Sequence, residues 1–196
     1  MILTDTRSVL PELPVPHDDG AAAHLPGLRL PAVALPATDG STVNLAHLDA
    51  GRTVLYVYPR TGRPGVDPPE GWDAIPGARG CTPEACGFRD HLDDLRGAGA
   101  RVYGLSSQTS DYQREAVDRL GLPFAMLADP GLAVGQALGL PTFSLGGRTF
   151  YRRLTMIVKD GVIEHVFYPV FPPDAHAAEV LDWLTAHPWA GGGRDR

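Results

Sequence analysis

Two periodicities organise the apolar positions of this chain. Thr53-Val54-Leu55-Tyr56-Val57-Tyr58 is a continuous run of β-branched and aromatic residues closed by Pro59, which predicts a buried central strand. Phe88, Leu92 and Leu95 fall at i, i+4 and i+7, giving a helix an apolar stripe that runs into glycines at 97 and 99. Residues 102–105 read as the next strand, 110–120 as a helix, 124–127 as a strand and 131–138 as a short helix. Residues 154–158 and 162–167 flank Lys159-Asp160-Gly161, whose Asp-Gly pair is a hairpin signal. Residues 172–184 close the pattern as an amphipathic helix, with Pro173 suited to its first turn. The alternation predicts an α/β fold around a mixed central sheet, with no internal repeat.

The pattern weakens at both ends and at one place inside. Residues 1–26 carry scattered prolines and aspartates without periodicity, and residues 188–196 are rich in glycine and charge, so both are expected to be poorly ordered tails of a domain spanning 27–187. Residues 28–35 suit a short strand, followed by a turn at Asp39-Gly40-Ser41. Residues 60–80 hold four prolines and five glycines in 21 positions, which resists helix and strand alike and predicts a long loop pinned by Trp72.

At 196 residues, 43% hydrophobic and 20% charged, the chain has the makings of one globular domain. A net charge of −6 without a dense lysine/arginine cluster argues against a nucleic-acid partner. The amino terminus does not read as a signal peptide, and no apolar run approaches the ~20 residues that cross a bilayer, so a soluble, cytoplasmic protein is expected. In a reducing compartment, two cysteines point to catalytic or redox-sensing use before a permanent staple.

Those two cysteines, Cys81 and Cys86, stand five residues apart where a helix should begin. On a helix they are separated by about 7.5 Å along the axis and lie on different faces. A disulfide needs Cα atoms roughly 4.4–6.8 Å apart, so a bridge requires the turn between them to unwind. A thiol is nucleophilic as its anion, and Cys81, just before a first-turn Pro83, sits where the helix dipole favours that anion. Oxidation of Cys81 gives a sulfenic acid, and Cys86 is the thiol placed to condense with it. A cation should lie nearby; Arg63, Arg79, Arg89, Arg152 and Arg153 are the candidates, and periodicity does not choose among them. Zinc on Cys81, Cys86 and His91 lacks a short cysteine pair and a fourth ligand. Both cysteines as inert buried residues is the plain alternative. His165 reads as structural, Asp93-Asp94 as a solvated helix face, and no phosphate-binding or hydrolase motif is present.

The segment Gly80-Cys81-Thr82-Pro83-Glu84-Ala85-Cys86-Gly87-Phe88-Arg89-Asp90 resembles the active-site helix of the peroxiredoxins, most closely the Q-type or bacterioferritin-comigratory-protein branch. Tyr56-Val57-Tyr58-Pro59, Leu122-Pro123-Phe124-Ala125-Met126-Leu127-Ala128-Asp129 and Arg153-Leu154-Thr155-Met156-Ile157-Val158 are similar to other family segments in the same order, so that the likeness spans about residues 26–186. The resemblance implies a thioredoxin-like fold, Cys81 as peroxidatic cysteine, Cys86 as resolving cysteine and Arg153 as the arginine that steadies thiolate and peroxide. It also implies a peroxide substrate, reduction by thioredoxin or a similar dithiol, no cofactor or metal, and a monomer or homodimer.

One position departs from the family pattern P-x-x-x-T-x-x-C: Ala78 stands three residues before Cys81, where the pattern has threonine. An insertion of about fifteen residues after Thr61 accounts for the spacing and makes Thr61 the candidate for the hydroxyl. The reading is therefore a thiol peroxidase. Its rivals are a thioredoxin-fold redox sensor or disulfide oxidoreductase acting on a partner protein, whose mark would be a Cys-x-x-Cys pair, and a binding protein with unreactive cysteines.

Overall fold

The computed structural model describes residues 13–189. The chain opens with a small hairpin, β1 (Ala34–Pro36) and β2 (Thr42–Asn44), and enters the main sheet at β3 (Arg52–Val57). After the long loop come α1 (Cys81–Asp90), α2 (Leu92–Gly97), β4 (Ala100–Ser106), α3 (Ser110–Leu120), β5 (Met126–Ala128) and α4 (Ala133–Leu138). A second hairpin, β6 (Thr142–Leu145) and β7 (Arg148–Tyr151), precedes β8 (Leu154–Lys159), β9 (Val162–Phe167) and α5 (His176–Ala186).

The main sheet has the order β5-β4-β3-β8-β9. β3 lies at its centre, parallel to β4 and antiparallel to β8, so every residue of the strand is buried. Successive side chains point to opposite faces. Val54, Tyr56 and Tyr58 pack with Phe88, Leu92, Leu95, Val180 and Leu184 from α1, α2 and α5. Leu55 and Val57 face the other way, against Leu35, Leu45, Val134 and Leu138. Each such side chain contributes roughly 1.5–3 kcal/mol on burial, so both faces hold the sheet rigidly behind α1.

The fold is the α/β, thioredoxin-like arrangement the sequence suggested, with four local corrections. The apolar stripe through Phe88, Leu92 and Leu95 belongs to two helices, because the chain bends at His91, whose backbone adopts φ −100 and ψ 7. Helix α5 begins at His176, so Pro173 lies ahead of it and packs elsewhere. The β6–β7 hairpin was unexpected; its turn is Gly146-Gly147, at φ 59 and 73, a two-glycine signal of the kind that closes tight hairpins. The folded unit also begins before residue 27: Ala22 and Leu25 are buried in the core, and the Gly27 amide donates to the Ile163 carbonyl oxygen at 2.8 Å. The remainder of the expected tails, residues 1–12 and 190–196, lies outside the described residues.

Residues 60–80 form an irregular loop apart from one turn of 3-10 helix at Trp72–Ala74. Trp72 anchors it, with ring centroids 5.1 Å from Phe150 and 5.7 Å from Phe143 of the second hairpin. Burial of an aromatic ring among others is the reason so glycine-rich a segment keeps one path.

Candidate active site

Gly80 starts α1 at φ 103, a backbone conformation that glycine alone tolerates without strain, and its carbonyl oxygen accepts the first helical bond from the Glu84 amide at 3.0 Å. Cys81 is thus the first helical residue and Pro83 sits in the first turn, where a missing amide hydrogen costs nothing. The Cys81 side chain is 4% exposed and belongs to the core on the α1 face of the sheet.

Arg153, immediately before β8, reaches across to this helix start. Its Nη2 lies 3.1 Å from Cys81 Sγ. The same nitrogen points at the carbonyl oxygens of Gly77, Ala78 and Arg79, at 3.2, 3.4 and 3.1 Å, and Nη1 donates to Glu84. Glu84 has no exposure, one turn into α1, and the guanidinium is equally enclosed. Of the five arginines considered, Arg153 is the one bonded to the thiol. Arg79 forks onto Asp73, Arg89 bonds Asp90 and the Leu120 carbonyl, Arg63 lies over the Tyr112 ring, and Arg152 lies 6.0 Å from the Phe143 ring centroid.

Burial is the largest influence on Cys81 and pushes its thiol up. The Arg153 charge opposes this, as do the backbone amide of Arg60 and the Arg153 hydrogen bond, while Glu84 adds to the rise. Burial likewise raises the Glu84 carboxyl against the pull of Arg153. Burial works against the Arg153 charge, but Cys81 and Glu84 outweigh it and hold the guanidinium firmly protonated. Enclosure of the thiol thus outweighs the groups that favour its anion, Arg153 first among them.

Ala78, at the position of the motif threonine, is fully buried and offers only its carbonyl, which faces Arg153 and, at 3.6 Å, Cys81 Sγ. Thr61 turns its hydroxyl to Gln108, not to Cys81 Sγ. Its Oγ1 and its amide both donate to Gln108 Oε1, at 3.0 and 2.9 Å, and Gln108 Nε2 donates back to the Thr61 carbonyl at 3.1 Å. The Gln108 side chain therefore treats the backbone of Thr61 as a neighbouring strand would, fixing the segment that carries Arg60 beside the cleft.

Cys86 lies within the intact helix α1 and is half-buried; both cysteines are free. Joining them requires α1 to open, as the five-residue spacing implied. His91 is turned to the Gly87 carbonyl oxygen at 2.9 Å, and among the described residues no three His, Cys, Asp or Glu side chains converge as metal ligands would. His165 stacks on Trp183 with centroids 4.7 Å apart, a packing role.

Beside Cys81 a cleft of about 350 Å³ opens between the long loop and the approach to α5. Arg60, Val66, Pro68 and Trp72 of the loop line it, together with Thr82 and Pro83 of α1 and Pro173.

Two residues at the site escaped the sequence reading. Glu84 carried a signal, since it lies three positions after Cys81 and so one turn up the same helix, close to the thiol. Gln108 carried none, because a lone glutamine in a strand-to-helix loop shows nothing of the backbone it will meet.

The family model described as Redoxin matches residues 25–181. Peroxiredoxin Bcp of Escherichia coli strain K12 is 33% identical over 161 residues, covering 80% of this chain and 93% of that protein. Chloroplastic peroxiredoxin Q of Oryza sativa subsp. japonica is 30% identical over 160 residues, covering 82% and 66%. Among solved structures, peroxidoxin BcpB of Mycobacterium tuberculosis superposes with a TM-score of 0.66 at 25% identity, covering 83% of this chain and 97% of its own. With a thiol, an arginine and a buried glutamate meeting at a helix start on this sheet, the chain belongs to the peroxiredoxins of the redoxin family, enzymes that reduce peroxides with a cysteine thiol.

Proposed function

We propose that Cys81 is the thiol that attacks peroxide and Cys86 the thiol that resolves it. The observation that carries this assignment is the 3.1 Å approach of Arg153 Nη2 to Cys81 Sγ beside an open cleft. The Cys81 thiolate attacks one peroxide oxygen and the O–O bond breaks. The electron pair leaves on the other oxygen, which takes a proton to become water or an alcohol. Sulfur is oxidised by two electrons to a sulfenic acid. Arg153 and the amides at the start of α1 face the charge that develops on the oxygens, a preorganised arrangement that lowers the barrier. The Cys86 thiol then condenses with the sulfenic acid, releasing water and forming a Cys81–Cys86 disulfide as α1 opens.

A thiol reductant must return the disulfide to two thiols, and we assign this step to thioredoxin or a similar dithiol protein. The half-buried position of Cys86 supports the assignment, since a bridge formed in an opened helix start stands at the surface. Among the described residues no helix is long and apolar enough to cross a membrane. Stopped-flow mixing of reduced wild type, Cys81→Ser and Cys86→Ser with hydrogen peroxide tests the roles. Cys81→Ser loses the fast peroxide reaction, and Cys86→Ser keeps it without forming a bridge; a fast reaction surviving in Cys81→Ser would sink the assignment.

A further inference from the structure

We propose that the 60–80 loop is the specificity-determining wall of this enzyme, binding the apolar group of an organic hydroperoxide through Val66, Pro68 and Trp72. The inference rests on Cys81 being the peroxide-reactive thiol and deepens that reading.

Three observations support it. The cleft beside Cys81, at about 350 Å³, falls in the range of small-molecule pockets, roughly 300–1,000 Å³. Hydrogen peroxide, two oxygens and two hydrogens, leaves most of that space empty; a hydroperoxide with a branched alkyl or aryl group occupies it. Second, the wall is apolar where the loop would otherwise be polar. Val66 is 51% exposed in a surface loop and lines the cleft together with Pro68, Pro83 and Pro173. Third, the wall is held in place from behind. Trp72 borders the cleft while packing on Phe150 and Phe143, and Arg79 forks onto Asp73 beside it. A fixed apolar surface binds an apolar group without first being ordered, which is the main cost a flexible loop incurs.

The wall also explains the chemistry left by Ala78. With no threonine hydroxyl three residues before Cys81 and Thr61 engaged by Gln108, the polar end of the substrate has fewer side-chain partners than the family pattern supplies. Contacts to the rest of the substrate then carry a larger share of its positioning, and those contacts are the loop's.

The test compares reduced wild type with Val66→Asp and Pro68→Asp, both changes at exposed positions, using single-turnover rates with cumene hydroperoxide and with hydrogen peroxide. The ratio of the two rate constants falls about tenfold in each variant, the factor for 1.4 kcal/mol. A ratio preserved within twofold overturns the proposal, and so does a preserved ratio accompanied by slower reduction of the disulfide by thioredoxin, which would make the wall a docking surface for the reductant. Failure of wild type to consume either peroxide is a different result, and it removes the peroxidase assignment itself.

Discussion

Gly80 and Pro173 are locked together: a Cβ placed on Gly80 would lie 2.2 Å from Pro173 Cγ, far inside contact distance. The approach to α5 thus packs tightly against the residue that caps the helix that must open for Cys86 to reach Cys81. The chain keeps glycine there for two reasons, a φ of 103 and the absence of room. Gly80→Ala is expected to lower stability by about 2 kcal/mol or more, combining left-handed strain with overpacking. In Gly80→Ala/Pro173→Ala the stability lost to the Cγ overlap is recovered, while the left-handed strain and a 3.0 Å approach to the Cβ of residue 173 stay. Thermal unfolding of both variants checks this; equal loss in the two would show that Pro173 does not press on the helix start.

Arg153→Lys keeps a charge but not the fork that reaches Glu84, Cys81 and three carbonyl oxygens together. The expected loss in the peroxide rate constant is about 10²-fold or more, by analogy with removal of one preorganised donor. Stopped-flow rates at fixed pH measure it.

The pH dependence follows from the directions at Cys81. Burial raises the thiol, so the reactive thiolate fraction grows as pH rises, and the peroxide rate climbs on the alkaline side of the ordinary thiol range. Arg153 opposes that rise; Arg153→Met therefore moves the climb to higher pH. Glu84 adds to it, so Glu84→Gln moves the climb lower. Thiolate absorbance against pH gives both signs, and a shift of Arg153→Met toward lower pH would contradict the assigned electrostatics.

Thr61→Val separates the geometry from the motif. Since the hydroxyl bonds Gln108 and not the thiol, its loss is expected to cost about 1 kcal/mol of stability while the peroxide rate stays within a few-fold of wild type. A hundredfold drop in rate would place the hydroxyl on the substrate.

Much of this was legible beforehand, for reasons that differ by element. β3 was readable because a strand buried on both faces must be apolar throughout, and Thr53 to Tyr58 is nearly so. α3 matched its expected span because Thr109 caps it and Gly121 stops it at φ 61, both local signals. The thiol pair was readable because five-residue spacing makes a mechanical demand of its own. The break at His91 was hidden, since an apolar stripe continues across a bend when both helices pack on the same face. The cradle of carbonyls around Arg153 was equally hidden. Gly77, Ala78 and Arg79 contribute backbone oxygens, and backbone is the same whatever the side chain. The fate of Thr61 turned on Gln108, 47 positions away, a pairing that no local pattern encodes.

The measurement that bears most directly on the account is rapid mixing of the fully reduced protein with one equivalent of hydrogen peroxide, with thiol products mapped by mass spectrometry. The account expects fast peroxide loss and a Cys81–Cys86 disulfide as the product. Slow loss with both thiols intact would contradict it.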